Sequence, residues 1–247
     1  KKLFKSVHQA LGGRVRLFIS GAAAIDPNVM EDVNAMGITM FQGYGLTESA
    51  PIVAVNKDRC FKAAAVGLPL PGTEIQIIDK DEFGIGEIIC RSDSVMLGYY
   101  ENQEETEKVL RDGWLHTGDY GYFDRDGFLY ISGRKKNVIV TKNGKNIFPE
   151  EVEFYLNKSE AVKESLVWGM EEEGTGETIV CAAIVPDYEI IEEKYGKVET
   201  DRIYSLIKQA VSEANDKMPL YKRIKRFEIR ETEFEKTTTK KIKRIPR

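Results

Sequence analysis

Three kinds of hydrophobic patterning follow one another along the chain. Residues 14–24, RVRLFISGAAA, form an apolar run that predicts a buried strand ending in a glycine turn. Asp26-Pro27 then predicts a helix start. Asp26 is the expected N-cap and Pro27 the first helical residue, where a missing N–H costs nothing. The helix is expected to run to about Met36 and stop at Gly37, and Ile38-Thr39-Met40-Phe41 opens a second strand that ends at Gly43-Tyr44-Gly45. Together these make a βαβ unit with a right-handed crossover. Ligands of open α/β sheets sit beyond the strand C-terminal ends, so Gly21-Ala22-Ala23 and Gly43-Tyr44-Gly45 are expected to line one crevice whose small residues admit a flat ring.

Over residues 65–100 the pattern changes to runs punctuated by glycine and proline: Val66-Gly67-Leu68-Pro69, Glu74 to Ile78 and Gly86 to Cys90. This predicts a small β-barrel-like subdomain, with a short surface helix after it over Glu101 to Leu110. Next, His116-Thr117-Gly118-Asp119 is expected to form a short polar turn that sets one carboxylate among small residues. The turn signals Asp124-Arg125-Asp126-Gly127 and Lys142-Asn143-Gly144 flank the apolar runs Phe128 to Ile131 and Val138 to Val140, which read as paired strands. Between those runs, Gly133 followed by Arg134-Lys135-Lys136 has the make-up of a swivel beside an anion, so a hinge is expected at 133–136. The remainder predicts helix Pro149–Leu156, strands Glu164–Trp168 and Thr178–Val185, helix Thr200–Asn215 and strand Arg226–Ile229. That order implies a compact α+β unit over 137–247, with Glu171 to Gly174 and Asp187 to Lys197 as exposed connections.

Composition narrows the function. With 247 residues, 42% hydrophobic and 31% charged, the chain can build two medium domains. A net charge of -4, from 36 basic and 40 acidic residues, argues against a general nucleic-acid binder, although the tail after Lys236 is locally basic. Cys60, Cys90 and Cys181 are odd in number and widely spaced, which implies neither a disulfide framework nor a metal site and fits a reducing cytoplasm. No run approaches the roughly 20 apolar residues of a membrane span, which leaves peripheral membrane contact open. The start Lys1-Lys2-Leu3-Phe4 has neither a signal-peptide core nor an initiator Met, so the chain is expected to begin within a longer protein.

Four segments carry a resemblance: Tyr44-Gly45-Leu46-Thr47-Glu48; GWLHTGD from Gly113 with GRKKNVIV from Gly133; Pro149-Glu150-Glu151-Val152-Glu153; and Lys236 to Arg244. In type and order they resemble the adenylate-forming enzymes, which include acyl-CoA synthetases, peptide-synthetase adenylation domains and luciferases. The second pair looks most like the long-chain fatty acyl-CoA synthetase branch. The resemblance implies that residues 1–132 are the C-terminal part of an AMP-binding domain and 137–247 a small lid domain. It implies ATP-dependent ligation of a fatty acid to coenzyme A through an acyl-adenylate, with release of AMP and pyrophosphate. The implied substrates are a carboxylic acid, ATP and CoA, with Mg²⁺.

By the same resemblance, Gly21, Ala22 and Ala23 would face one side of the adenine and Tyr44, between Gly43 and Gly45, the other. Thr47 would contact the α-phosphate and Glu48 would hold Mg²⁺ through an oxygen, as suits a hard cation. Asp119 would accept two hydrogen bonds from the ribose, reinforced by Arg134. Lys241 would be the catalytic lysine of adenylation, its ammonium bridging the attacking carboxylate and the phosphate. Once the adenylate forms, the lid would swing about Lys136, and Gly144 would line the pantetheine tunnel. Plainer readings stand beside these: Tyr44 as core, Asp119 as a turn former, Glu48 as a helix cap, Lys136 as an exposed cation and Lys241 as part of a solvated basic tail. His8 and His116 read as structural.

The family's glycine- and Ser/Thr-rich phosphate loop is absent, and Lys240 stands where its tail motif usually has glycine. The chain alone is therefore expected to bind nucleotide weakly and to turn over little or nothing. Two other functions remain open: an acyl-AMP ligase that loads a carrier protein, and a non-catalytic fragment that binds nucleotide or a partner.

Overall fold

The computed structural model describes residues 3–21, 25–58, 60–238 and 241–244. The chain divides into two compact units, Lys1–Lys135 and Lys136–Arg247.

The first unit opens with α1 (Lys5–Ala10), β1 (Leu17–Ser20), α2 (Pro27–Ala35) and β2 (Thr39–Gly45). The expected βαβ unit is present: β1 and β2 are parallel, in register from Leu17 opposite Thr39 to Ser20 opposite Gln42. The Asp26 carboxylate accepts the Asn28 N–H at 2.9 Å and Pro27 begins the helix. Gly37, at φ +83°, turns the chain into β2. β3 (Ile52–Val55) and β4 (Leu68–Pro69) extend the sheet in the order β1-β2-β3-β4. One expectation fails here, because β1 is not a buried strand: Leu17 is 44% and Ile19 60% exposed. β1 is the sheet edge, and α2 packs chiefly on β2, burying Met30 completely.

A second, antiparallel sheet comprises β5 (Glu74–Ile78), β6 (Gly86–Arg91), β7 (Leu110–Arg111), β8 (Trp114–Phe123) and β9 (Leu129–Arg134), with α3 (Gln103–Val109) against β8. Ile77, Ile88 and Leu129 of this sheet share a core with Ala54 and Val66, so the two sheets bury one another's apolar faces. HTGD lies inside the ten-residue strand β8 rather than in a turn. The two apolar runs of the predicted hinge do not pair with each other. Each closes its own hairpin: β9 returns along β8 after the Asp124–Gly127 turn, and β10 (Ile139–Val140) pairs with β11 (Asn146–Ile147) across Lys142–Gly144. Adjacent strands joined by a tight turn lose less chain entropy than a pairing across the charged cluster would require.

In the second unit the β10–β11 hairpin precedes α4 (Pro149–Leu156), β12 (Val162–Glu171), β13 (Thr178–Pro186), α5 (Tyr188–Tyr195), α6 (Thr200–Asp216) and β14 (Ile224–Ile229). The sheet order is β12-β13-β14, with β13 antiparallel to β12 and parallel to β14. Central β13 is buried from Ile179 to Pro186, as expected for a strand covered on both faces. Ile207, Ala210, Val211 and Ala214 form the helical stripe by which α6 joins the core, with Leu206 buried beside them. Residues 187–197 are not a plain connection. Asp187 accepts the Ile190 N–H at 3.1 Å to cap α5, and Ile191 is buried beneath it.

Candidate nucleotide site

A β-bulge builds the centre of the first unit's site. Where β8 passes β6, Glu87 faces Tyr120 and Ile89 faces His116, so β8 carries extra residues at Thr117-Gly118-Asp119. Gly118 takes φ +66°, a left-handed conformation open to glycine at little cost. The Thr117 hydroxyl donates to the Ile88 carbonyl at 2.7 Å and accepts the Asp119 N–H at 3.1 Å, which holds the bulge from both sides. Asp119 is thereby fixed with 5% exposure.

The two oxygens of Asp119 are held by different partners. The Tyr44 hydroxyl donates to Oδ2 at 2.7 Å, and Nε of Arg134, opposite Asp119 in the β8–β9 register, donates to Oδ1 at 2.8 Å. Burial, and then the Asp119 charge, push the Tyr44 hydroxyl far above the ordinary phenol range, so it remains a donor. Arg134 is half exposed.

Tyr44 is delivered by the end of β2. Gly21, after β1, lies beside Gly43, whose carbonyl oxygen would be 3.8 Å from a Cβ built on Gly21. At Gly45 a Cβ would strike the Pro51 carbonyl, so the β2–β3 irregularity at Tyr44/Gly45 requires glycine. The chain then makes a 3-10 turn over Thr47–Ser49, in which the Leu46 N–H donates to the Ser49 hydroxyl at 3.2 Å. Thr47 is exposed and Glu48 half-buried. The Glu48 carboxylate accepts the Tyr99 hydroxyl at 2.8 Å, and burial with this bond pushes Tyr99 up to about 12. Glu48 lies within that single turn and not at the start of an α-helix, which sets aside its reading as a helix cap. One half-buried carboxylate is a donor set that suits a cation which keeps several waters and takes its other oxygens from phosphates.

Sequence reasoning missed Glu87, a carboxylate only 4% exposed on β6. It accepts from Lys135 Nζ at 2.6 Å and lies 3.7 Å from Nδ1 of His116. A single acid in the run Gly86-Glu87-Ile88-Ile89 was the available signal. Arg134 and Lys135, the first two cations of the predicted swivel, are thus tied to Asp119 and Glu87, while Lys136 is exposed.

The other predicted residues belong to the second unit. Gly144 sits at the hairpin tip with φ +73°, and a Cβ there would meet nothing within 4 Å, so its backbone angle and not crowding calls for glycine in this unit. Lys241 is exposed on a looped tail in which the Thr237 N–H donates to the Lys241 carbonyl at 2.8 Å. Ala22, Ala23 and Lys240 lie outside the described residues. Among the described residues, no cluster of three His, Cys, Asp or Glu side chains is arranged to hold a metal ion, and no helix is long and apolar enough to cross a membrane.

Residues 1–100 match the AMP-binding enzyme family and residues 136–246 match the AMP-binding enzyme C-terminal domain, and the chain belongs to this family. It is 32% identical to the long-chain-fatty-acid–CoA ligase FadD15 of Mycobacterium bovis, over 98% of this chain and 42% of that protein. To the long-chain-fatty-acid–CoA ligase of Bacillus subtilis it is 34% identical, over 93% of this chain and 40% of that protein. Its fold is similar to o-succinylbenzoate CoA synthetase of Bacillus subtilis in complex with the acyl-adenylate OSB-AMP, with a TM-score of 0.76 and 25% identity over 98% of this chain and 48% of that one. The same enzyme in complex with ATP and magnesium gives a TM-score of 0.74 at 25% identity, over 96% of this chain and 49% of that one. The chain therefore spans less than half the length of these relatives.

Proposed function

We propose that the chain is the C-terminal part of an ATP-dependent ligase that joins a long-chain fatty acid to coenzyme A through an acyl-adenylate, in the cytoplasm. The observation that carries this reading is the buried Asp119, held at a strand bulge by Tyr44 and Arg134 beside the Gly43–Gly45 strand end. A carboxylate so fixed can accept the two ribose hydroxyls of an adenylate side by side, with Arg134 reinforcing the grip. Gly21 takes one face of the adenine and Tyr44 the other. Thr47 contacts the α-phosphate, and Glu48 would hold Mg²⁺, which neutralises phosphate charge when bound. A crystallised relative, o-succinylbenzoate CoA synthetase, is in complex with ATP and magnesium.

Lys241 supplies a cation whose attraction grows as charge builds on the reacting oxygens, so its contribution is largest in the transition state. Lys136, between Lys135 tied to Glu87 and Asn137 bonded to Glu150 at 2.6 Å, is the pivot that would carry Lys241 away and bring Gly144 to the thiol. Residues 1–132, 133–136 and 137–247 are then AMP-binding, hinge and lid segments. The test is AMP release from ATP with CoA and a panel of fatty acids, run on this chain and on the protein extended to the length of its relatives. Activity confined to the extended form, and strongest with long-chain acids, is the expected result. Silence in both overturns the proposal in favour of a carrier-protein acceptor or another acid class.

A further inference from the structure

The tail that bears Lys241 is held in place by a half-buried ion pair beyond it. Residues 234–238 and 241–244 run as two arms side by side: Lys236 bridges Ile242, the Thr237 N–H donates to Lys241 O and the Lys243 N–H donates to Glu235 O, both at 2.8 Å. The outgoing arm is anchored by Phe234, which is buried against Ala183 and Val185, and by Lys236, paired with Glu164 and Glu233. On the returning arm exposure alternates: Lys241 and Lys243 are exposed, Ile242 and Arg244 half-buried. Alternation of that kind places Lys241 on the outward face of an extended segment whose inward face is Ile242 and Arg244.

Ile242 joins the Phe234 cluster, and the backbone bonds tie the returning arm to the outgoing one. Arg244 ties the far end of that arm to the body of the unit. Its Nη2 donates to both oxygens of Glu153, at 2.7 and 2.6 Å, and Nη1 donates to the Val167 carbonyl at 2.9 Å. Glu153 is itself fixed, since its Oε1 also accepts the Val167 N–H at 2.7 Å. One guanidinium thus ties the tail to α4 and β12 together, in the planar, two-pronged geometry that a lysine cannot reproduce.

We propose that Arg244, held by Glu153, is a positioning residue for Lys241 that sets where its ammonium lies during adenylate formation. The proposal rests on the assignment of Lys241 to that step. In the full-length ligase, Arg244→Gln should slow adenylate formation about 100-fold, the loss that roughly 1 Å of misplacement produces. Thioester formation from supplied acyl-adenylate and the KM for ATP should stay near wild type. Arg244→Lys, which keeps the charge without the fork, should recover only part of the loss. In the 247-residue chain, Arg244→Gln should also speed hydrogen exchange at the Thr237 and Lys243 amides, a readout independent of catalysis.

Equal loss in both half-reactions marks Arg244 as merely structural and overturns the proposal. So does unchanged adenylation alongside a crippled Lys241→Ala, which leaves the role of Lys241 standing. If Lys241→Ala itself forms adenylate normally, that role falls and the proposal falls with it. Unchanged amide exchange in Arg244→Gln shows that the pair does not hold the tail.

Discussion

Glu153 makes the stability of the second unit depend on pH in a direction opposite to that of most paired acids. Burial pushes its carboxyl up from 4.5 to about 7, with Glu150 adding repulsion, while Arg244 and the Val167 N–H pull it back. Arg244 has two acids to serve: Nη2 is 2.6 Å from Glu153 and 3.6 Å from Glu150, whose Oε2 is buried without a hydrogen-bond partner among the described residues. Burial of Glu153, with the Glu150 charge beside it, outweighs Arg244 and favours keeping a proton on Glu153. Between pH 4.5 and 7 the folded unit retains a proton that the unfolded chain releases. The stabilisation is therefore complete below about 4.5 and lost as the pH rises through 7. A rise from 4.5 to about 7 corresponds to about 3 kcal/mol, at about 1.4 kcal/mol per pH unit.

Glu153→Gln abolishes this titration. Urea unfolding of both proteins, in a Trp114→Phe background so that Trp168 reports the second unit alone, should show wild type losing about 3 kcal/mol relative to the variant between pH 4.5 and 7.5. Glu233, held down to about 2 by Lys163 and Lys236, acts in the opposite sense, but its window lies below 4.5 and it is common to both proteins. Parallel stability curves, or a wild type that gains on the variant as pH rises, would refute the balance of burial over pairing argued here.

Gly45→Ala forces the strand away from the Pro51 carbonyl and should destabilise the first unit by about 2 kcal/mol or more in urea unfolding. Tyr44→Phe takes a hydroxyl from the buried Asp119 and should cost about 1–3 kcal/mol of the same unit's stability while weakening nucleotide binding measured by calorimetry. Asp187→Ala removes the α5 cap and should lower the second unit's stability by about 1 kcal/mol, with amide exchange rising first at Ile190 and Ile191.

The elements legible in the sequence are those set by interactions within a few residues. Asp26-Pro27 caps and starts α2, Gly37 ends its exit, and the stripe from Leu206 to Ala214 makes α6 amphipathic, because each depends only on local backbone geometry and helical spacing. The short motifs likewise point to the family without any knowledge of packing. What tertiary structure alone decided depends on register and burial between distant residues. Asp119 reads as a turn residue until the pairing of β8 with β6 places it in a bulge, where it meets Tyr44, 75 positions away. Glu87 looks like any strand acid until burial makes Lys135 its partner, and β1 looks buried until sheet order leaves it at an edge. Arg244 passes for one more charge in a basic tail, and Glu153, 91 residues earlier, for an exposed helix acid. Their meeting follows from the fold: a local pattern specifies which element forms, but desolvation and charge pairing act only once distant elements have been brought together.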